Sequence, residues 1–218
     1  MISVTGTGRV RVRPDVVRVR LTATARWPAA AQAVAAAEAT AADVRAALAA
    51  HGVTGADAAS GGFALVTEQI WSEQLGPRTT GHRCDHEIAV LLRDVPAAGR
   101  VLGDVLAAGG DGVRVDAVEP GLLDATALRI QARELAWADA LDAATRLAAL
   151  TDRPLGAVRS VAEGDDPVDV PGVPSGKRLD VALSAGVPVG VQPGDVEVAV
   201  TLRVQWDLRA HRDPRDRP

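Results

Sequence analysis

Apolar and polar residues take turns along several extended stretches of the chain, and segments of helical spacing separate them. Val17, Val19, Leu21 and Ala23 fall on one side of a segment whose other side carries Arg18, Arg20, Thr22 and Thr24. That period of two marks a half-buried strand. Ile2 to Val12 alternates more weakly, with Val10 and Val12 set among Arg9, Arg11 and Arg13. The clearest alternation comes last. Val196, Val198, Val200, Leu202, Val204, Trp206 and Leu208 share one face, and Glu197, Thr201, Arg203, Gln205 and Asp207 share the other.

Two further strands are predicted at Ser60–Ile70 and Gly81–Arg93, with Ile88, Val90 and Leu92 on one face of the second. The connection between them, residues 72–80, carries the turn signal Gly76-Pro77, so the pair reads as a hairpin. Short strands follow at 113–117 and 155–161. Pro28 opens a helix that Gly52 closes, with Val34, Ala37, Ala41, Val44 and Leu48 as its buried stripe. Pro96 opens a second helix, with Val101, Leu102, Val105 and Leu106 inward. A third runs from about residue 122 to 150, with Leu128, Leu135, Trp137, Leu141 and Leu147 as its apolar positions.

This order, ββαββαβαβ(β)β, predicts an α+β fold: a mainly antiparallel sheet covered by three helices. One domain is expected over residues 1–208. Within it, Glu163 to Gly194 holds five prolines and six glycines and reads as a loop insertion, with a short strand at 178–184. The charged tail 209–218 reads as disordered.

Composition narrows the function classes. The chain has 218 residues, 42 of them alanine, with no asparagine or tyrosine and one lysine, a bias that matches a GC-rich, bacterial type of genome. The balance of 24 basic to 28 acidic residues and the scarcity of aromatic side chains argue against a nucleic-acid partner. The alternating Arg9, Arg11, Arg13, Arg18 and Arg20 therefore read as a charged outer face that discourages edge pairing. Neither a secretory leader nor a membrane-spanning run is visible, so a cytoplasmic location without membrane insertion is expected.

Candidate chemistry concentrates in His82-Arg83-Cys84-Asp85-His86. On a strand His82, Cys84 and His86 share a face, and their nitrogen and sulfur atoms suit zinc or copper. Same-face neighbours lie roughly 6–7 Å apart, so three in a row fit one ion poorly and a fourth ligand, or a neighbouring strand, would be required. The alternative is a polar strand start in which Cys84 is a small packing residue. No Gly-x-Ser-x-Gly elbow and no phosphate loop are present, and no cofactor is implied. Trp71 stands beside the hairpin turn, where it either serves an interface or folds back on its own domain, against Trp27.

Several motifs occur together and in order. Val4-Thr5-Gly6-Thr7-Gly8 leads to Pro14-Asp15; Thr80-Gly81-His82-Arg83 opens a strand. Ala148-Ala149-Leu150 precedes Pro154-Leu155-Gly156-Ala157-Val158, and Pro193-Gly194-Asp195-Val196-Glu197-Val198 opens the last strand. In this the chain resembles the SIMPL family over residues 2 to about 208, departing from it at His82, where relatives carry tyrosine. The resemblance implies an α+β fold, a tendency to oligomerise and no established catalytic activity; bacterial relatives include periplasmic immunogenic and oxidative-stress proteins. The expected function is thus non-enzymatic: homo-oligomerisation with contacts from the hairpin 60–93, and binding of a protein partner, in stress or envelope physiology. The alternative is a metal- or thiol-dependent function centred on His82, Cys84 and His86.

Overall fold

A computed structural model describes residues 1–72, 76–164 and 194–209. Its strands are β1 Ile2–Val12, β2 Val16–Trp27, β3 Ala58–Ser72, β4 Gly76–Leu92, β5 Val113–Gly121, β6 Leu155–Gly164 and β7 Val196–Leu208. Its helices are α1 Ala30–Ala50, α2 Ala98–Gly109 and α3 Thr126–Leu150. The α+β expectation and the element order are borne out, with the strands arranged in two antiparallel sheets. The expected strand at 178–184, almost all of the loop insertion and the tail beyond residue 209 lie outside the described residues.

The described residues form two compact units. One takes residues 14–72 and 76–121; the other takes 1–13, 122–164 and 194–209.

The first of these units is a four-stranded sheet, ordered β3-β4-β2-β5, with α1 and α2. The inward alternation read in the sequence is what packs it. Val17, Val19, Leu21 and Ala23 of β2 and Ile88, Val90 and Leu92 of β4 are buried with Val44 and Leu48 of α1 and Val101, Leu102 and Val105 of α2. Gly52 takes φ +75° just past α1, the left-handed stop that glycine supplies without a steric cost. The hairpin is longer than expected: Gly76 and Pro77 belong to β4, with Pro77 opposite Trp71. Pro77 is tolerated there because β2 reaches only as far as Trp27, opposite His82. Beyond that point β4 pairs with β3 alone, and a proline on a free edge costs no ladder bond.

The other unit is the sheet β1-β7-β6 with α3. The apolar face of β7 is buried as its alternation predicts, from Val196 to Trp206. The helix differs from its expected pattern. Its buried positions are Ala132, Ala136, Ala140, Ala144 and Ala148, a strict i, i+4 row. Leu135, Trp137, Leu141 and Leu147 are exposed by 37–45%. The reason lies on β1. A Cβ on Gly6 would stand 2.2 Å from the Ala136 carbonyl oxygen, and one on Gly8 would stand 1.9 Å from that of Ala132. The helix backbone rests directly on the strand, and only methyl groups fit between them. Trp137 still leans on the buried Trp206, with ring centroids 5.9 Å apart.

Candidate functional site

Strand β4 sets His82, Cys84 and His86 on the face that α1 covers, as the period of two requires. The three then meet different surroundings. Cys84 is fully buried against Ala33 and Ala37 of α1, in the role of a small packing residue. Burial pushes its thiol up, and the nearby Asp85 and Glu38 add to the shift, which keeps the sulfur protonated. His82, nearer the hairpin arm, shares a 3.3 Å hydrogen bond between Nδ1 and Thr67 Oγ1. Among the described residues, no group of three or more His, Cys, Asp or Glu side chains converges as a metal cage would require.

His86 has a more organised environment. It is 7% exposed, and both ring nitrogens are engaged. Nδ1 stands 2.8 Å from Glu38 Oε1 of α1, and Nε2 stands 3.2 Å from Ser60 Oγ of β3. A carboxylate only accepts, so Nδ1 carries the proton and donates to Glu38. In the neutral ring Nε2 is then an acceptor, and the Ser60 hydroxyl donates to it. Phe63 meets the imidazole edge to face at 6.4 Å. Glu38 is in turn 3.7 Å from Arg45 Nη2. Ser60 and Glu38 carry no motif in the sequence. They reach His86 because β3 pairs with β4 and α1 crosses that sheet, so no local pattern announces them.

The opposite face of the sheet is charged. Arg83 pairs with Asp85 at 3.1 Å, and Asp85 also accepts from Thr24 at 2.7 Å. Three of the alternating arginines are partnered in the same manner. Arg20 meets Glu119 at 3.3 Å, while Arg9 and Arg11 hold Glu197 at 2.9 and 2.8 Å. A cavity of about 240 Å³ lies beside His51, Val53, Arg93 and Arg100. Several of its polar groups are paired with one another or with neighbours: Asp57 takes both arms of Arg93 at 2.8 and 2.9 Å, and Asp104 holds His51 at 2.8 Å.

Trp71 lies near the end of the hairpin arm and is 76% exposed, with Ile70 beside it at 57%. Trp27, its expected local partner, is itself 47% exposed. No helix among the described residues is long and apolar enough to cross a membrane.

Comparison with curated proteins gives no match. The pattern of one family, described as a protein of unknown function (DUF541), matches residues 2–206. That is nearly the whole chain, and it covers both sheets and all three helices. The chain therefore belongs to the SIMPL family.

Proposed function

We propose that the protein acts by assembling with further copies of itself through the outer part of the β3–β4 hairpin, and so presents a composite surface to a protein partner. The exposure of Trp71 carries this reading. A tryptophan 76% open to water at the end of a two-stranded arm fills no core of its own. Tryptophan is among the residues most enriched where binding energy concentrates.

Two further features favour a second copy as the occupant. Strand β3 stands at the edge of its sheet, and among the described residues no strand pairs with its outer side. Such an edge offers a row of backbone donors and acceptors that another edge satisfies. The outer part of the strand also exposes Leu65, Val66 and Ile70, an apolar series for an edge of this length. Antiparallel pairing of two β3 edges is self-complementary, the form a two-fold contact requires. The family resemblance supports a stress or envelope setting for such an assembly.

Light scattering after size exclusion tests the proposal. The wild type is expected to elute as an oligomer at high micromolar concentration. Ile70→Ser with Trp71→Ser should lower the mass without moving the melting midpoint, because both side chains are already exposed. A strict monomer for the wild type overturns the proposal.

A further inference from the structure

The Ser60–His86–Glu38 chain has the connectivity of a nucleophile, a base and an orienting carboxylate. We infer that it is an acyl-transfer site, with Ser60 as the nucleophile for small esters of good leaving groups.

The geometry meets each requirement in turn. Ser60 Oγ is 3.2 Å from His86 Nε2, the atom left free of hydrogen by the bond to Glu38. That separation is at the outer edge of hydrogen-bond reach, as is usual before a substrate tightens the contact. Glu38 holds the ring at 2.8 Å, which fixes both the tautomer and the rotation of the imidazole. His86 is nearly buried while Ser60 is exposed, so the base is shielded and the nucleophile is open to a solute. Three separate elements, α1, β3 and β4, supply one group each. A histidine satisfied merely for burial needs any two partners; here the hydroxyl is on Nε2 and the carboxylate is on Nδ1.

The surroundings select the substrate class. Ser60 sits on the edge strand, immediately before the irregularity at Gly61 and Gly62 where the ladder to β4 slips by one residue. Glu87 meets these glycines on the face away from His86: a Cβ on Gly62 would stand 3.2 Å from its Oε2. Among the described hydrogen bonds no side-chain donor stands at Ser60 Oγ, since His86 Nε2 accepts from it. No charged or side-chain donor is thus placed to steady a developing oxyanion. Such a site has little power against amides or alkyl esters and needs a leaving group that departs easily. Phe63, 55% exposed beside His86, gives a flat apolar surface for an aryl group.

The reaction balances with water as the only co-reactant. Ser60 Oγ attacks the ester carbonyl as its proton passes to His86 Nε2. The carbon–oxygen bond to the leaving group breaks, and His86 returns the proton to the departing oxygen. Water, deprotonated by the same nitrogen, then attacks the acyl-serine, releases the acid and restores the hydroxyl.

The full chain is tested with p-nitrophenyl acetate. A burst of one nitrophenolate per chain is expected, with the acetyl group mapped to Ser60 by peptide mass spectrometry. Ser60→Ala, at an exposed position, should remove the burst and the label while keeping the wild-type melt. Glu38 is a positioning residue. Glu38→Gln should lower kcat by about tenfold or more, with KM and the melting midpoint unchanged and Glu38→Asp restoring part of the rate. Absence of acetyl on Ser60 at saturating ester overturns the assignment. So does a turnover that Ser60→Ala leaves intact, which would mean that imidazole alone reacts with the ester.

Discussion

Replacing Gly8 with alanine strikes the closest approach among the described glycines. The new Cβ would stand 1.9 Å from the Ala132 carbonyl oxygen, 2.5 Å from the Ala136 nitrogen and 2.8 Å from Leu135 Cβ. Two of these three atoms are helix backbone and cannot rotate away. Ordinary contact requires α3 and β1 to part by about 1.5 Å. A gap of roughly 0.5–1 Å already forfeits a quarter to a half of the dispersion attraction across it. Every methyl of the Ala132–Ala148 row would feel that gap, because a helix lifts as a rod. Overpacking costs roughly 1–3 kcal/mol, and a clash with backbone puts Gly8→Ala near the upper end, about 3 kcal/mol. For a chain of this size that lowers the melting midpoint by roughly 6–12 °C. The assay is thermal unfolding followed by tryptophan emission, since Trp137 and Trp206 pack together beside this contact. Gly103→Ala is the paired control. It lies inside α2 with nothing within 4 Å of the added carbon. It should stabilise by about 0.4–1 kcal/mol. A Gly8→Ala protein that melts with the wild type would refute the account of α3 as a helix seated on glycine.

Two other perturbations have signs that follow from the same contacts. Arg11, with Arg9 behind it and burial opposing, holds the Glu197 carboxyl below its ordinary 4.5. Its contribution is therefore complete above pH 4.5 and is lost as pH falls through the lower folded value. Melting curves taken down the acid range should show Glu197→Gln with a shallower loss of stability than the wild type; parallel acid limbs would contradict this. Cys84 is fully buried and its thiol is pushed up, so a disulfide reagent should label it only as fast as the surrounding structure opens. Rapid labelling of the folded chain would show that α1 does not cover this residue.

The strands and the faces of β2, β4 and β7 were legible because period two survives wherever one side of a sheet meets a core. What misled was the assumption that bulk points inward. In α3 the leucines were the obvious stripe, yet the neighbour presents Gly6 and Gly8, and a backbone surface admits only methyl groups. The signal was present in two places at once: glycines two apart on one strand face, and alanines at 132, 136, 140, 144 and 148. Each is unremarkable alone in an alanine-rich chain. Only their pairing across the fold gives them meaning.

The candidate site was hidden for a related reason. His82, Cys84 and His86 drew notice because they are close in sequence, and closeness on a strand gave them one face but no common centre. Of the three, His86 alone is joined to other polar side chains on both ring nitrogens. Its partners come from α1 and from the far side of the hairpin, where pairing of β3 with β4 decides what meets the imidazole. A one-residue change in that register would turn Ser60 to the other face and leave Nε2 without its hydroxyl. The register shift at Ser60–Gly62 is thus the feature that lets Ser60 and Phe63 both stand on the His86 side of the sheet. Sequence spacing alone would place residues 60 and 63 on opposite faces; the extra residue in the ladder brings them together.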